Sequence, residues 1–340
     1  MSKISTMDIL EKIKRFLEQN RASKGVLLKK TTGDILFKVC RALLLFGLCF
    51  LILQPLLDKL SISFMERDDL YDPTVISIPR RFTLENFVLA GQLMSFLPSL
   101  LRTLLLVVIS ATLQIAACTL AGYGFARFKF PLKNFWFACV MLIIVVPPQT
   151  IMAPLYLNFR FFDIFGLIRG LTGKPINMLD SVAGYLLLSS TGMGLKSGLY
   201  IFMLRQFFRN MPKELEEAAC IDGCNKLKTF GEIILPDAAP MVTSCFLFSF
   251  VWQWTDSFYS SLFLTTYRVL AAQLGAVSDR LREWWELSVG YASGALPPVG
   301  YMQAIIATSM LMTLIPLIIL YLLAQKAFVQ SLSRTGIAGM

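Results

Sequence analysis

Six stretches of mostly apolar residues dominate this chain, each about 20 residues long, the length a helix needs to cross ~30 Å of hydrocarbon. They cover residues 37–57, 103–123, 136–157, 182–204, 240–264 and 303–324. The third holds Pro147, Pro148 and Pro154, and the sixth holds Pro316. Proline inside a span is tolerated where neighbouring helices re-satisfy the freed backbone groups, so these spans read as one bundle rather than separate anchors. The expected fold is an all-α integral membrane protein with six transmembrane helices. The first stretch starts too late and runs too long for a signal peptide, and no small-residue cleavage site follows it.

Charge gives the orientation. The chain carries 32 Lys+Arg against 22 Asp+Glu in a sequence that is 56% apolar. Such a composition excludes a soluble enzyme and most nucleic-acid-binding modules, whose basic excess comes with a polar chain. The segments 1–41, 124–134, 205–239 and 325–340 lie on one side of the six spans and hold 20 basic against 10 acidic residues. The segments 58–102, 158–181 and 265–302 lie on the other and hold 11 of each. Lys and Arg accumulate on the cytoplasmic side, which makes both termini cytoplasmic. The organisation is then a cytoplasmic N-terminal segment over 1–35, a six-span domain over 36–330 with an inner loop at about 205–239, and a cytoplasmic tail over 331–340. Within the first segment, residues 6–18 place Ile9, Ile13 and Phe16 on one helical face. That face suits either the cytoplasmic leaflet or the protein's own inner surface.

Histidine is absent, which removes His-based general-base chemistry and His-containing zinc sites. The seven cysteines are irregularly spaced, and none falls in an outer segment, so disulfides are not expected. Cys220 and Cys224 share a helical spacing but lack the further ligands a metal needs. No Gly-Lys pair here sits in a phosphate loop, because Gly173-Lys174 is followed by Pro175 without an upstream Gly. No metal is expected, and no catalytic residue is assigned.

The inner loop carries the most specific pattern. Over PKELEEAACIDGCNKLKTFGEIILP (212–236), acids fill the first turn of a helix from Glu214 to Cys220, where they oppose the N-terminal dipole. Gly223 interrupts it with Asp222 beside it, and a second helical piece runs over about 225–234 and ends at Leu235-Pro236. The set Glu217, Ala218, Ala219, Gly223, Ile233, Leu235 and Pro236 resembles the EAA loop of ABC-importer permeases at all seven fixed positions. Thr83 to Phe87, Gly122 to Phe128 and Gln325 to Gly339 are similar to segments of the carbohydrate-uptake permeases, specifically the maltose-type second subunit of a pair. The resemblance covers about residues 35–340.

That resemblance implies a type I importer-like bundle in a bacterial cytoplasmic membrane. It implies a second permease subunit, two ABC ATPase subunits that bind ATP and Mg, and an extracellular substrate-binding protein. No cofactor is expected on this chain. Glu217, Ala218, Ala219, Asp222, Gly223, Ile233, Leu235 and Pro236 would couple ATPase closure to the spans. The transported solute would be an oligosaccharide or other carbohydrate. A permease for a non-sugar solute is the alternative, and a proton-coupled secondary transporter using Lys196 and Asp256 is a remoter one.

Ionisable residues inside spans mark candidate pathways. Asp256 stands in WQWTDSFY (252–259), and Gln253, Trp254, Asp256 and Tyr259 are candidates for the substrate path. Helical phase puts Trp252, Asp256 and Tyr259 on one face; an aromatic belt at the outer surface is the plainer reading. The family has a Trp-Asn-acid signature here, and Thr255 replaces the Asn. Lys196 stands in a run with three glycines, which predicts a loosened or broken helix lining a cavity. Its ammonium either approaches Asp256 or is solvated. The outer segment 265–302, with Arg280, Arg282, Trp284 and Trp285, reads as a surface helix or as a docking face for the binding protein.

Overall fold

The computed structural model describes residues 26–72, 74–75, 78–289 and 296–337. The amphipathic segment 6–18 lies outside the described residues. Among the described residues, three helices are long and apolar enough to span a membrane unbroken: Gly33–Ser63, Phe96–Arg127 and Val299–Gln325. The count rises to five where two sharply bent pairs are each taken as one span.

The chain divides into two units, residues 1–61 and 62–340. In the first, helix α1 (Val26–Ser63) exposes its apolar side chains almost throughout, including Leu43, Phe46 and Ile52. A helix apolar all round and unburied by its own unit is suited to lipid or to another helix.

The second unit is organised by α3 (Phe96–Arg127), which follows α2 (Glu85–Leu93). Its small and polar residues Ser99, Thr103, Ser110, Ala111, Gln114, Cys118 and Gly122 are buried, while Leu101, Leu105 and Leu120 are exposed. Small residues on the packed stripe bring partner backbones close, as membrane bundles require. The partners are α6 (Val182–Ser190), α7 (Ser197–Asn210) and α10 (Ala239–Trp254). Helix α14 (Val299–Ile337) packs along α10 and α2. At Gly122 α3 and α7 approach closely, since a Cβ there would lie 2.9 Å from the Leu204 Cβ and 3.1 Å from the Arg205 nitrogen.

Three of the expected spans are broken, each for a local reason. Span three is two arms, α4 (Lys133–Val145) and a second piece from Pro148 that includes α5 (Met152–Arg160), bent by 104°. Pro147 and Pro148 each push the preceding residue out of the α region, and Val146 and Pro147 are extended. Span four breaks between α6 and α7, where Gly192 (φ +69°) and Lys196 (φ +63°) adopt left-handed backbone. Span five stops at Trp254 rather than Leu264. The carboxylate of Asp256 accepts the backbone N–H groups of Phe258, Tyr259 and Ser260 at 3.1–3.2 Å and so starts a new short helix, α11 (Phe258–Phe263).

The segment between α1 and α3 is stapled by side-chain-to-backbone bonds. Buried Asn86 donates to the carbonyls of Ser63 and Met65, and Asp69 accepts from the amides of Arg80 and Arg81. Thr83 accepts from the Glu85 amide at 3.1 Å, so it caps α2 from one residue ahead of the formal cap position, Leu84. The segment 265–302 is more than a surface attachment. Helices α12 (Leu270–Gly275) and α13 (Val277–Val289) bury Leu270, Val277 and Leu281 against α2 and α14. The Arg280 guanidinium donates to the Leu93 carbonyl and to Gln273, so it is a tie within this core and not a free cation. Asp180 accepts from the amide and hydroxyl of Thr266 at 2.7 Å, which holds its carboxyl below the ordinary carboxylate range.

The close approach at Gly122 gives the first prediction. Gly122→Ala inserts a methyl against backbone and should lower stability by about 1–3 kcal/mol, read as a fall in the unfolding midpoint in detergent. Gly124→Ala, whose methyl would meet nothing nearer than 3.9 Å, should not lower it. Equal midpoints for the two variants would overturn the assignment of this contact.

Candidate functional site

Two constellations carry polar or exposed groups that the packing of a bundle does not by itself require. The first is the loop between α7 and α10. Helix α8 (Glu214–Ile221) opens with Glu214, Glu216 and Glu217 in its first turn, and it closes with a Schellman pattern. The Cys224 amide donates to the Ala219 carbonyl at 2.9 Å, and the Gly223 amide donates to the Cys220 carbonyl at 3.1 Å. That closure needs left-handed backbone at Gly223, where φ is +78°. Asn225 then caps the next piece, α9 (Lys226–Asp237), by accepting the Lys228 amide at 2.8 Å. The second helical piece does not end at Leu235-Pro236 as expected. Pro236 needs no donor in the first turn of a fresh helical segment, and the chain runs on into α10 through a 74° bend.

The loop is held from behind. Arg127, the last residue of α3, has a side chain only 7% exposed and pairs with Glu216 at 2.8 Å. The same guanidinium donates to the Met211 carbonyl at 2.8 Å, so one residue fastens α3 to the end of α7 and to α8. The Tyr123 ring contacts those of Phe208 and Phe230 at 5.5 and 4.7 Å, which adds an apolar anchor for α9. In front, the loop is open. Glu217, Ala218, Asp222 and Gly223 are exposed, whereas Ala219 is buried and Ile233 and Leu235 are half-buried. Ile221 and Leu227, at 86% and 82% exposure, project two aliphatic side chains from the turn. Arg127, Phe128, Glu217 and Cys224 line a cleft of about 340 Å³ at its flank.

The second constellation sits inside the bundle. Buried Gln114 of α3 donates from its amide nitrogen to the Leu195 carbonyl at 2.8 Å and to the Ser197 hydroxyl at 2.7 Å. Its oxygen accepts from the Ser249 hydroxyl at 2.6 Å and from the Gln253 amide at 2.7 Å. Gln253 also donates to Ser249 and accepts from Ser110. Every donor and acceptor of both amide side chains is thereby used, which low-dielectric surroundings demand. The network ties α3 and α10 to the break between α6 and α7. Sequence reading missed Gln114, Ser110, Ser197 and Ser249; polar residues at a spacing of three to four in span two were the available signal.

Gln253, Trp254, Asp256 and Tyr259 are all buried, so these substrate-path candidates do not present to solvent in this structure. Gln253 belongs to the network, Trp254 donates its indole N–H to the Thr313 carbonyl, and Asp256 caps α11. The shared face expected for Trp252, Asp256 and Tyr259 is lost because the helix ends between them. What stays exposed is Trp252, with Thr255 and Ser257 beyond it. Lys196 lies over the Trp252 ring at 5.0 Å and, among the described residues, forms no ion pair with Asp256 or any other acid.

Residues 114–334, more than half of the chain, match the family described as binding-protein-dependent transport system inner membrane component. A probable ABC transporter permease protein of Pyrococcus horikoshii is 30% identical over 188 residues, which cover 55% of this chain and 62% of that one, so less than two thirds of that relative is spanned. The melibiose/raffinose/stachyose import permease protein of Bacillus subtilis is 29% identical over 77% of this chain and 83% of its own. Among solved structures, a chain of a bacterial ABC transporter involved in the import of the acidic polysaccharide alginate matches with a TM-score of 0.65 at 20% identity. The match covers 87% of this chain and 98% of that one, and it shows a shared fold.

The closed network makes a measurable prediction. Gln114→Leu takes a buried partner from the Leu195 carbonyl and from the Ser197, Ser249 and Gln253 side chains and should destabilise the fold by about 1–3 kcal/mol. The double variant Gln114→Leu/Gln253→Leu should cost less than the sum of the two single changes, as thermal unfolding of all three variants would read. Strict additivity would show that the two amides do not act together.

Proposed function

The chain belongs to the family of binding-protein-dependent transport system inner membrane components, and from that premise we propose that it is one of two permease subunits of an ATP-driven importer for carbohydrate. It is an integral membrane transport subunit. We assign ATP hydrolysis, with the ATP and Mg it needs, to two separate ATPase subunits, solute capture to an extracellular binding protein, and the other half of the pathway to a second, different permease. The relatives that import melibiose, raffinose and stachyose, or arabino-oligosaccharides, support a saccharide as solute. The Lys and Arg excess supports cytoplasmic termini and a cytoplasmic α8–α9 loop.

The observation that carries the coupling role is the pairing of rigidity with exposed apolar surface at one loop tip. Ile221 and Leu227 stand almost fully exposed on a turn that is capped at both ends, closed by Gly223 and bolted to α3 through Arg127 and Glu216. A flexible loop could shelter two such side chains; a turn fixed this firmly presents them to a partner's groove. Glu217, Ala218, Asp222 and Gly223 flank the contact, while Ala219, Ile233, Leu235 and Pro236 support it from within the loop. When the ATPases close, this turn would carry the displacement into α7, α3 and α10.

For the solute path, the face bearing Lys196 and Trp252 is the candidate, with Gln253, Asp256 and Tyr259 as its buried backing. Gln114, bonded to Leu195, lies 13 residues from Arg127, about 20 Å along α3. A lysine opposite lipid at that depth costs about 2.5–3.5 kcal/mol, which favours a water-filled path or a partner subunit. An indole face stacks on sugar rings, and an ammonium donates to hydroxyls.

Two experiments test these readings in the assembled transporter. Valine at φ +78° is strained by about 1–2 kcal/mol. Gly223→Val should therefore cut solute-stimulated ATP hydrolysis and uptake by roughly tenfold with unchanged membrane insertion. Normal stimulation would remove the loop from the coupling route. Lys196→Met should raise the solute concentration needed for half-maximal uptake, and unchanged uptake kinetics would remove Lys196 from the path.

A further inference from the structure

Helices α4 and α7 run antiparallel and pack against each other, with Gly198 so close to α4 that a Cβ there would lie 2.9 Å from the Val140 carbonyl oxygen. Towards the opposite end of α7 the contact is made by charge on ring: the Arg205 guanidinium carbon lies 3.8 Å from the Phe137 ring centroid. That contact sets the register. Lys133 is one turn from Phe137 towards the start of α4, and Arg209 is one turn from Arg205 towards the end of α7. The two neighbouring rungs are therefore Phe137 with Arg205 and Lys133 with Arg209. Three cations share one patch between two helix ends, in the first turn of α4, where the dipole also favours an anion.

Among the described residues, neither Lys133, Arg205 nor Arg209 forms an ion pair, and the Arg205 Nε is buried without a hydrogen-bond partner. Lys133 spends one donor on the Phe128 carbonyl at 2.8 Å. Burial, with the nearby Arg205 and Arg209 charges, holds its ammonium below the ordinary lysine range, and burial with Arg209 lowers Arg205 likewise. Arg127, a few residues away, is occupied by Glu216. Around the cations the surface is apolar and aromatic: Leu132, Phe135 and Trp136 are all more than half exposed. Exposed rings beside basic residues at the end of a span mark the depth of lipid headgroups, and basic pockets between spans at that depth suit anionic headgroups.

We propose that Lys133, Arg205 and Arg209 form a binding site for the headgroup phosphate of an anionic phospholipid, whose acyl chains lie along the exposed rings and aliphatic residues of α4. The phosphate accepts from the fork of Arg209, the free Lys133 donors and the Arg205 Nε, which satisfies the one buried nitrogen left orphaned here. The leaflet rests on the orientation proposed above, but occupancy of the site does not.

Native mass spectrometry of the intact transporter complex, mixed in detergent with phosphatidylglycerol or phosphatidylcholine, tests this. The complex should retain phosphatidylglycerol and release phosphatidylcholine. Lys133→Gln and Arg209→Gln should each weaken retention roughly fivefold, while Arg282→Gln, an exposed cation on α13, should leave it unchanged. Arg209 is exposed, so its variant tests the site even where Lys133→Gln does not assemble. Equal retention of both lipids, or unchanged retention in Arg209→Gln, would overturn the site. Displacement of the lipid by millimolar inorganic phosphate would overturn the lipid as its occupant and leave a soluble anion in its place.

Discussion

A bilayer offers a buried amide no water, so every polar group inside it must find its partner in protein. The hydrogen bonds of Gln114 meet that constraint and set the arrangement around them. One side chain on α3 fixes the position of α10 through Ser249 and Gln253, and of the α6–α7 junction through Leu195 and Ser197. A broken helix at this depth would otherwise leave carbonyls unpaired. The left-handed turn at Lys196, and the exposed Lys196–Trp252 pair it displays, exist because Gln114 accommodates the break.

The breaks themselves divide into those a sequence discloses and those it hides. The glycines around Lys196 forecast interruption, and interruption is found; the Pro147-Pro148 pair reads as tolerated within a continuous span, yet it breaks span three. The bend of 104° between the two arms of span three could not be forecast, because proline forbids continuation without dictating direction. The break in span five was hidden altogether. The stretch 240–264 is uniformly apolar apart from a few polar residues, and hydropathy cannot tell a transmembrane aspartate that faces a pathway from one that caps a helix. Asp256 does the second. Once the helix stops at Trp254, the phase that would have aligned Trp252 with Asp256 and Tyr259 has no meaning.

The α8–α9 loop was the most legible part of the chain, since acids at a helix start and glycine at left-handed backbone each answer to a local rule; the Asn225 cap follows a local rule too, but sequence reading missed it. Its tertiary fastening was not legible. Arg127 and Glu216 are 89 positions apart, and neither stands out among the charged residues at span ends. Only the fold brings them together and gives the loop its stiffness. The segment 265–302 shows the opposite case: its charged and aromatic composition resembles a surface, yet it buries Leu270, Val277 and Leu281 and ties Arg280 to the Leu93 carbonyl, because α2 and α14 supply partners that no local pattern reveals; Arg268 and Arg282 stay exposed.

The unbroken course of α3 has a mechanical consequence. Most of the other membrane-embedded helices in residues 62–340 carry a kink or a chain break that can flex under load. Among the helices that touch the α8–α9 loop, α3 alone continues as one stiff rod past the middle of the bundle without a break, whereas α7 begins and α10 ends there. The rod is gripped by Arg127 at one end and by Gln114 about 20 Å away. Under the proposed coupling role, a push on the loop would reach the Lys196 junction with little loss along the rod, while the compliant helices would absorb the difference in travel. The element with the fewest irregularities sets the lever arm, and the irregular ones provide the hinges on which it turns.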